Sequence, residues 1–250
     1  MIVRFILPFA ALFLAGCGER EPEAVAEPEA VAEPEAVAEP EAETEVAVAG
    51  EGWESLFDGK ALAPNWEVTD YIASKGIAIK EGGIIELRPG EPLGGIRWIG
   101  EELPKVDFEV SLEARRVEGD DFFCCLTFPY KEKHASFVVG GWGGSLTGIS
   151  NVGGYDASEN STMSIGTFLN GTWYKIRLRA TGDRIEAWID DKQFVNLKTT
   201  DMEIEMRFGE IEESVPLGVS VFMTIAEVRN IQMKRLEPGA PALSEDPDEF

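Results

Sequence analysis

The sequence is poor in the residues that most often build metal and nucleophile sites. It has one histidine, His134, and three cysteines in 250 residues. A single histidine excludes a multi-histidine zinc centre and any serine–histidine couple that does not use His134. Lys131, Glu132 and Lys133 precede it, so it is expected in an exposed loop. Cys124 and Cys125 are adjacent. Neighbours on a strand point to opposite faces, which makes a disulfide between them geometrically poor, and both read as small apolar fillers within a strand. Basic residues are scarce too: 22 Lys and Arg stand against 46 Asp and Glu, a formal net charge of −24. An acidic surface repels phosphate backbones, and no basic stripe interleaved with aromatics is present, so nucleic acid is not an expected partner. Neutral sugars, cations and proteins are compatible with this charge. From Glu51 onward no stretch sustains an apolar period of 3.6, which excludes a fold built on amphipathic helices.

The first fifty residues are not material for a folded domain. Arg4 is followed by a short apolar run, Phe5 to Leu14, then Leu14-Ala15-Gly16-Cys17. The run is too short to span a membrane and fits the apolar region of a signal peptide, residues 1–16. The Leu-Ala-Gly-Cys quartet resembles the bacterial lipoprotein cleavage box, which implies lipidation of Cys17 and attachment to the cell envelope. Gly18 after the cysteine implies the outer membrane where the cell has one. Residues 21–42 repeat with a period of six, Glu-Pro-Glu-Ala-Val-Ala. Proline interrupts regular hydrogen bonding and the glutamates repel one another, so residues 17–50 read as a semi-extended spacer.

Beyond the spacer the pattern is that of strands. Asp107 to Val117 alternates, with Phe108, Val110, Leu112 and Ala114 on one face and Glu109, Ser111, Glu113 and Arg115 on the other. Phe122 to Phe128 and Ala135 to Val139 are almost continuously apolar, as strands covered on both sides are. Gly76 to Arg88 reads as a hairpin around Gly82-Gly83, and Arg184 to Leu197 as another with Asp190-Asp191 at its tip. Turn signals recur every ten or so residues, which predicts an all-β sandwich or jelly roll over residues 51–236. Residues 237–250, with three prolines and a run of acids, are expected to be loose.

Four patches carry a family likeness: Trp53-Glu-Ser-Leu-Phe-Asp-Gly-Lys-Ala-Leu, Asp107-Phe-Glu-Val-Ser-Leu-Glu-Ala-Arg, the hairpin Gly171 to Asp190, and Val228-Arg-Asn-Ile-Gln-Met. Together they resemble the 3-keto-disaccharide hydrolase family. The resemblance implies a concanavalin A-like, laminin-G-like jelly roll of two antiparallel sheets, acting outside the cytoplasm on 3-keto-glycosides by hydrolysis or by lyase and hydratase steps. A 3-keto group acidifies the C2 proton, so a base removes it and the C1 substituent leaves. That chemistry calls for a carboxylate or histidine base and an electrophile near the ketone, a metal or an arginine. After Glu113 the sequence departs from the commoner family pattern, with Gly119-Asp-Asp-Phe-Phe-Cys-Cys in place of a Gly-Asn-Ser-Gly stretch.

The candidate site falls between Gly119 and Thr162. Asp120 and Asp121 form an acidic turn, either solvated or set to bind a cation or a sugar hydroxyl. Trp142 stands between paired glycines, which expose its indole face for stacking on a sugar unless it plugs an end of the sandwich. Tyr155, Asp156, Glu159 and Asn160 share one polar loop; their oxygens suit a divalent cation such as calcium, though the spacing matches no established calcium loop. Glu109, Glu113, Arg97 and Arg115 either line a concave polar face or belong to a wet sheet face. The base is therefore sought among Glu113, Asp120, Asp121, Asp156 and Glu159, and sugar contacts among Trp142, Tyr155, Asn160, Arg97 and Arg115. A non-catalytic glycan-binding module and a surface scaffold are the alternatives.

Overall fold

A computed structural model describes residues 51–244. The expected signal peptide, Cys17, the repeat spacer and residues 245–250 lie outside the described residues. The strands are β1 (Trp53–Ser55), β2 (Trp66–Val68), β3 (Ile77–Lys80), β4 (Ile84–Leu87) and β5 (Leu93–Trp98). They continue with β6 (Phe108–Glu118), β7 (Cys124–Tyr130), β8 (Lys133–Gly140), β9 (Leu146–Ser150) and β10 (Ser164–Ile165). The last are β11 (Tyr174–Ala180), β12 (Arg184–Ile189), β13 (Lys192–Lys198), β14 (Gly218–Phe222) and β15 (Ile225–Arg235). One sheet has the order β13-β12-β11-β6-β15-β4-β3, with β1 also paired to β15, and the other β10-β9-β8-β7-β14-β5-β2. Pairing is antiparallel throughout, and the jelly roll expected from the turn spacing is present.

Alternation along each strand decides what the two sheets bury between them. Phe108, Val110, Leu112 and Ala114 of β6 meet Leu126, Phe128, Phe137 and Val139 of β7 and β8 in one core. Burying a large apolar side chain contributes about 1.5–3 kcal/mol, so this layer is a substantial stabilising term. Trp66 closes one end: its indole N–H donates to the Leu56 carbonyl at 2.8 Å, and its ring stands edge-on to Trp98 at 5.4 Å. The N–H needs that acceptor because the ring is 2 % exposed.

The outer face of the eight-stranded sheet is a lattice of opposite charges. Glu113 accepts from Arg229 and Asn230, Arg115 pairs with Glu227, and Trp173 lies between the guanidinium groups of Arg115 and Arg229. Glu109 pairs with Arg179 at 2.7 Å. Part of the expected loose tail is fixed against this face. Arg179 donates to the Pro241 carbonyl, and the backbone N–H groups of Leu243 and Ser244 donate to Glu186, which is fully buried. The tail is held because it supplies the donors a buried carboxylate requires. His134 is likewise not in a loop: it lies on β8 opposite Pro129, half-buried. Desolvation and the neighbouring Lys105 lower its pKa.

Candidate functional site

The other face of β7 and β8 points away from the core and is not apolar. Strand alternation puts Cys125 and Thr127 there from β7, Ser136 and Val138 from β8, Ser150 from β9 and Ser220 from β14. Half of this face is roofed by a 3-10 turn, Glu210–Ser214. Ser214 and Ser136 both bond the Thr127 hydroxyl, at 2.7 and 3.0 Å, and Tyr71 bonds Ser220 at 2.7 Å. The roof sits low because β14 begins with glycine: a Cβ on Gly218 would lie 2.5 Å from the Ser214 carbonyl oxygen. Strands read as covered on both sides are therefore covered by the core on one side and by this turn and its loops on the other.

The unroofed half is a cleft of about 410 Å³. Cys125, Ser136, Val138 and Ser150 make its floor, with Phe122, Phe222 and Trp142 as walls. Asp121, Asp156, Arg207, Phe208 and Glu210 also line it. Three of the residues singled out in the sequence thus converge: Asp121, Trp142 and Asp156. The volume suits a small organic ligand, and the mix of aromatic walls with a few fixed polar groups is the usual makeup of such sites.

Each convergent residue is held by its own loop. Asp156 follows β9; its Oδ1 accepts from Ser150 Oγ at 2.6 Å and from the Ala157 N–H at 2.7 Å, and its Oδ2 from Arg207 Nη1 at 2.6 Å. Arg207 reaches it because the two loops are laced together, Asn151 N–H to Glu205 O and Gly153 N–H to Glu203 O. Asn160 braces the same loop from behind, donating to the carbonyls of Ile149, Tyr155 and Asp156. Trp142 has a left-handed backbone, φ 50°, ψ 54°, and is 42 % exposed. Asp121 ties that turn down by accepting from the Gly143 N–H at 3.2 Å, while Arg116 donates to the carbonyls of Asp121, Gly144 and Phe168.

The remaining candidates lie elsewhere. Glu113 and Arg115 belong to the outer face of the opposite sheet, because on β6 the odd-numbered side chains point away from the core. Arg97 sits on β5 four residues beyond the cleft and pairs with Glu67 at 2.7 Å. Asp120 is exposed and lines a neighbouring depression. Glu159 and Tyr155 are exposed outside the cleft lining, and Asn160 is committed to its loop. Glu109 is spent on arginine pairs. Among the described residues no group of three or more His, Cys, Asp and Glu is placed to hold a metal ion.

Sequence reasoning missed Arg207, Phe208 and Glu210, which come from a segment with neither strand alternation nor a recognised motif. It read Cys125 as filler, whereas the thiol is part of the cleft floor. Burial pushes that thiol up to about 12, so it is protonated at neutral pH and not a ready nucleophile.

Two antiparallel sheets in this strand order, with a cleft on one outer face, define a jelly-roll sandwich. Residues 52–234 match the 3-keto-alpha-glucoside-1,2-lyase-like domain, and the chain belongs to that family. No curated protein sequence matches. Among solved structures, the apo Crh5 transglycosylase superposes with a TM-score of 0.51 at 13% identity, covering 74% of this chain and 84% of that one. SCLam, a non-specific endo-beta-1,3(4)-glucanase of family GH16, gives 0.49 at 12% identity, with 77% and 95% covered. The carbohydrate binding module CBM66 from Bacillus subtilis gives 0.44 at 15%, with 68% and 95% covered. At these identities the likeness is one of fold.

Proposed function

We propose that the protein is an envelope-attached lyase or hydrolase of 3-keto-glycosides, with Asp156 as the base and Arg207 as the electrophile. The observation that carries this reading is the carboxylate and guanidinium held side by side on one cleft wall. Asp156 Oδ1 faces the Ala157 N–H and the Ser150 hydroxyl, whose one proton is shared with Asn151 Oδ1, whereas Oδ2 has only Arg207 and keeps one lone pair for a proton. In the proposed step that oxygen removes the proton from C2 of the sugar, beside the C3 ketone. The electrons shift into a C2–C3 enolate whose oxygen faces Arg207. They then return to form the C1–C2 double bond as the C1–O bond breaks. The proton passes to the departing oxygen, giving a free alcohol and an unsaturated keto sugar. Addition of water to that product completes a net hydrolysis.

Trp142 and Phe208, 42 % and 91 % exposed, offer aromatic faces to the sugar's C–H face. Attachment through a lipid on Cys17 would put this cleft where external glycosides arrive, at the end of the repeat spacer.

A non-catalytic glycan-binding role is the second reading, favoured by the cleft floor itself. Cys125, Ser136, Val138 and Ser150 carry no charge. The acids on its walls, Asp121 and Asp156, are each engaged in hydrogen bonds that hold the surrounding loops. Incubating purified protein with 3-keto-trehalose and related keto-glycosides, with and without chelator, separates the readings. Release of the alcohol supports the lyase or hydrolase; binding without release, abolished by Trp142→Ala, supports the module.

A further inference from the structure

The outer face of the eight-stranded sheet, on the far side of the sandwich from the cleft, is cationic on an otherwise acidic protein. Cross-strand register puts five carboxylates on it: Glu86, Glu109, Glu113, Glu186 and Glu227. Lys80, Arg88, Arg115, Arg177, Arg179 and Arg229 are each paired with one of them. The same register adds Lys175 on β11, Lys234 on β15, and the cross-strand couple Arg184 and Lys198 on β12 and β13. These six and four make ten of the chain's 22 basic residues, against five of its 46 acids.

Ion pairing does not hide this charge from solvent, because the two members of a pair lie at different depths. The side chains of Glu86, Glu109, Glu186 and Glu227 are 9 % exposed or less, whereas those of Lys80, Arg88, Arg115 and Arg177 are 31 % or more. Anything laid against the sheet therefore meets ammonium and guanidinium groups first, and the nearer charge dominates. Two indoles stand among them. Trp173 lies 4.7 and 4.2 Å from the guanidinium carbons of Arg115 and Arg229, and Trp53 is paired opposite Lys234. Seven strands in line make the face about 30 Å wide, the scale of a surface and not of a small ligand. Tryptophan set among lysine and arginine is the composition that sits at the headgroup level of a bilayer.

We infer that this face is a docking surface for a membrane rich in anionic phospholipid. The lipid phosphates supply the negative charge that the outer layer of cations lacks. The other acids lie elsewhere on the molecule. The second sheet packs about 10 Å behind the first, roughly one Debye length at 0.1 M salt, so repulsion from its far side is screened at the membrane. Docked this way, the sandwich turns the cleft, on the outer face of the other sheet, away from the lipid and toward arriving substrate. The inference goes beyond the chemistry of the cleft and needs no lipid on Cys17.

The test is co-sedimentation of the full, unlipidated chain with phosphatidylcholine vesicles, with and without phosphatidylglycerol, at physiological ionic strength. Neutral vesicles register any insertion of the apolar run Phe5 to Leu14, so the quantity read is the ratio of anionic to neutral binding. That ratio should be on the order of tenfold and should fall toward one when Lys175→Glu and Lys234→Glu are combined. Neither lysine is ion-paired among the described residues, and Lys234 Nζ reaches only the Glu51 carbonyl at 3.4 Å, so the fold has little to lose. Lys131→Glu with Lys133→Glu, at the β7–β8 tip of the other sheet, makes the same change in net charge and should leave the ratio as it was. A ratio of one for the parent, a ratio untouched by the first pair, or an equal loss with the second would overturn the inference. Binding to polyglutamate without preference for anionic vesicles would also overturn it, and would make the face a dock for an acidic protein.

Discussion

Asp156 Oδ2 lies 2.6 Å from Arg207 Nη1, although the two residues are 51 positions apart and neither sits in a strand. The pair exists because the loop after β9 and the segment before the 3-10 turn exchange backbone hydrogen bonds at Asn151 and Glu205. The side chain of Arg207 is 60 % exposed and that of Asp156 16 %, so the guanidinium is the member a ligand meets first. In the proposed step Arg207 bears on the transition state through the enolate oxygen. Arg207→Gln is expected to lower kcat on 3-keto-glycosides on the order of 100-fold with little change in KM. A rise in KM at constant kcat would make Arg207 a binding residue only.

Arg116 gathers carbonyls from three separate segments, at Asp121, Gly144 and Phe168. A lysine keeps the charge but not the planar fork that spans them. Arg116→Lys is expected to cost about 1–2 kcal/mol in urea unfolding. It is also expected to raise acrylamide quenching of Trp142, read as the difference from the Trp142→Phe variant. Unchanged quenching would mean that the turn holds its shape without Arg116.

Gly218 lies under the roof of the polar face. A Cβ would sit 2.5 Å from the Ser214 carbonyl oxygen and 2.8 Å from its Cβ, both in the 3-10 turn. Gly218→Ala must lift that turn from the floor and break the Ser214–Thr127 bond, a loss of about 1–3 kcal/mol measurable by thermal or urea unfolding. Stability equal to the parent would show that the turn is not seated as described.

Four buried groups make the fold sensitive to alkali. Burial raises Cys125 from 9.0 to about 12 and Tyr130 from 10.0 to about 12, and also raises Cys124 and Tyr71. Between 9.0 and about 12 the unfolded thiol has lost a proton that the folded Cys125 keeps. The unfolded chain then binds fewer protons, so stability falls as pH rises through that window, by about 1.4 kcal/mol per pH unit for each group. Below pH 9 the contribution is complete. The urea midpoint should be level from pH 7 to 8 and drop by pH 10, with a shallower drop in Cys125→Ser. A midpoint unchanged at pH 10 would contradict the burial of these groups.

The sheets were legible because β6 and β11 alternate, and period two fixes which side chains face the core. Phe108, Val110, Leu112 and Ala114 are all buried where that pattern puts them. The cleft was half legible. Asp121, Trp142 and Asp156 stand out locally, as an acidic turn, an indole between glycines and a polar loop. Arg207 and Phe208 do not, because what brings them to the site is a pairing between distant loops. Alternation also could not tell which outer face was hollow. Glu113 and Arg115 looked as suitable as any polar pair, but their sheet face is closed by ion pairs and by residues 241–244. Ser136, Ser150 and Cys125 are too small to announce a floor.

The most direct test of the account is the fate of the C2 hydrogen. A 3-keto-glycoside incubated with the protein in D2O is followed by NMR, for the parent and for Asp156→Asn. The account predicts C2 hydrogen loss and alcohol release by the parent, both slowed by about 100-fold or more in the variant, because the amide cannot take the proton. Equal rates in parent and variant, or alcohol release with the C2 hydrogen retained, would contradict it.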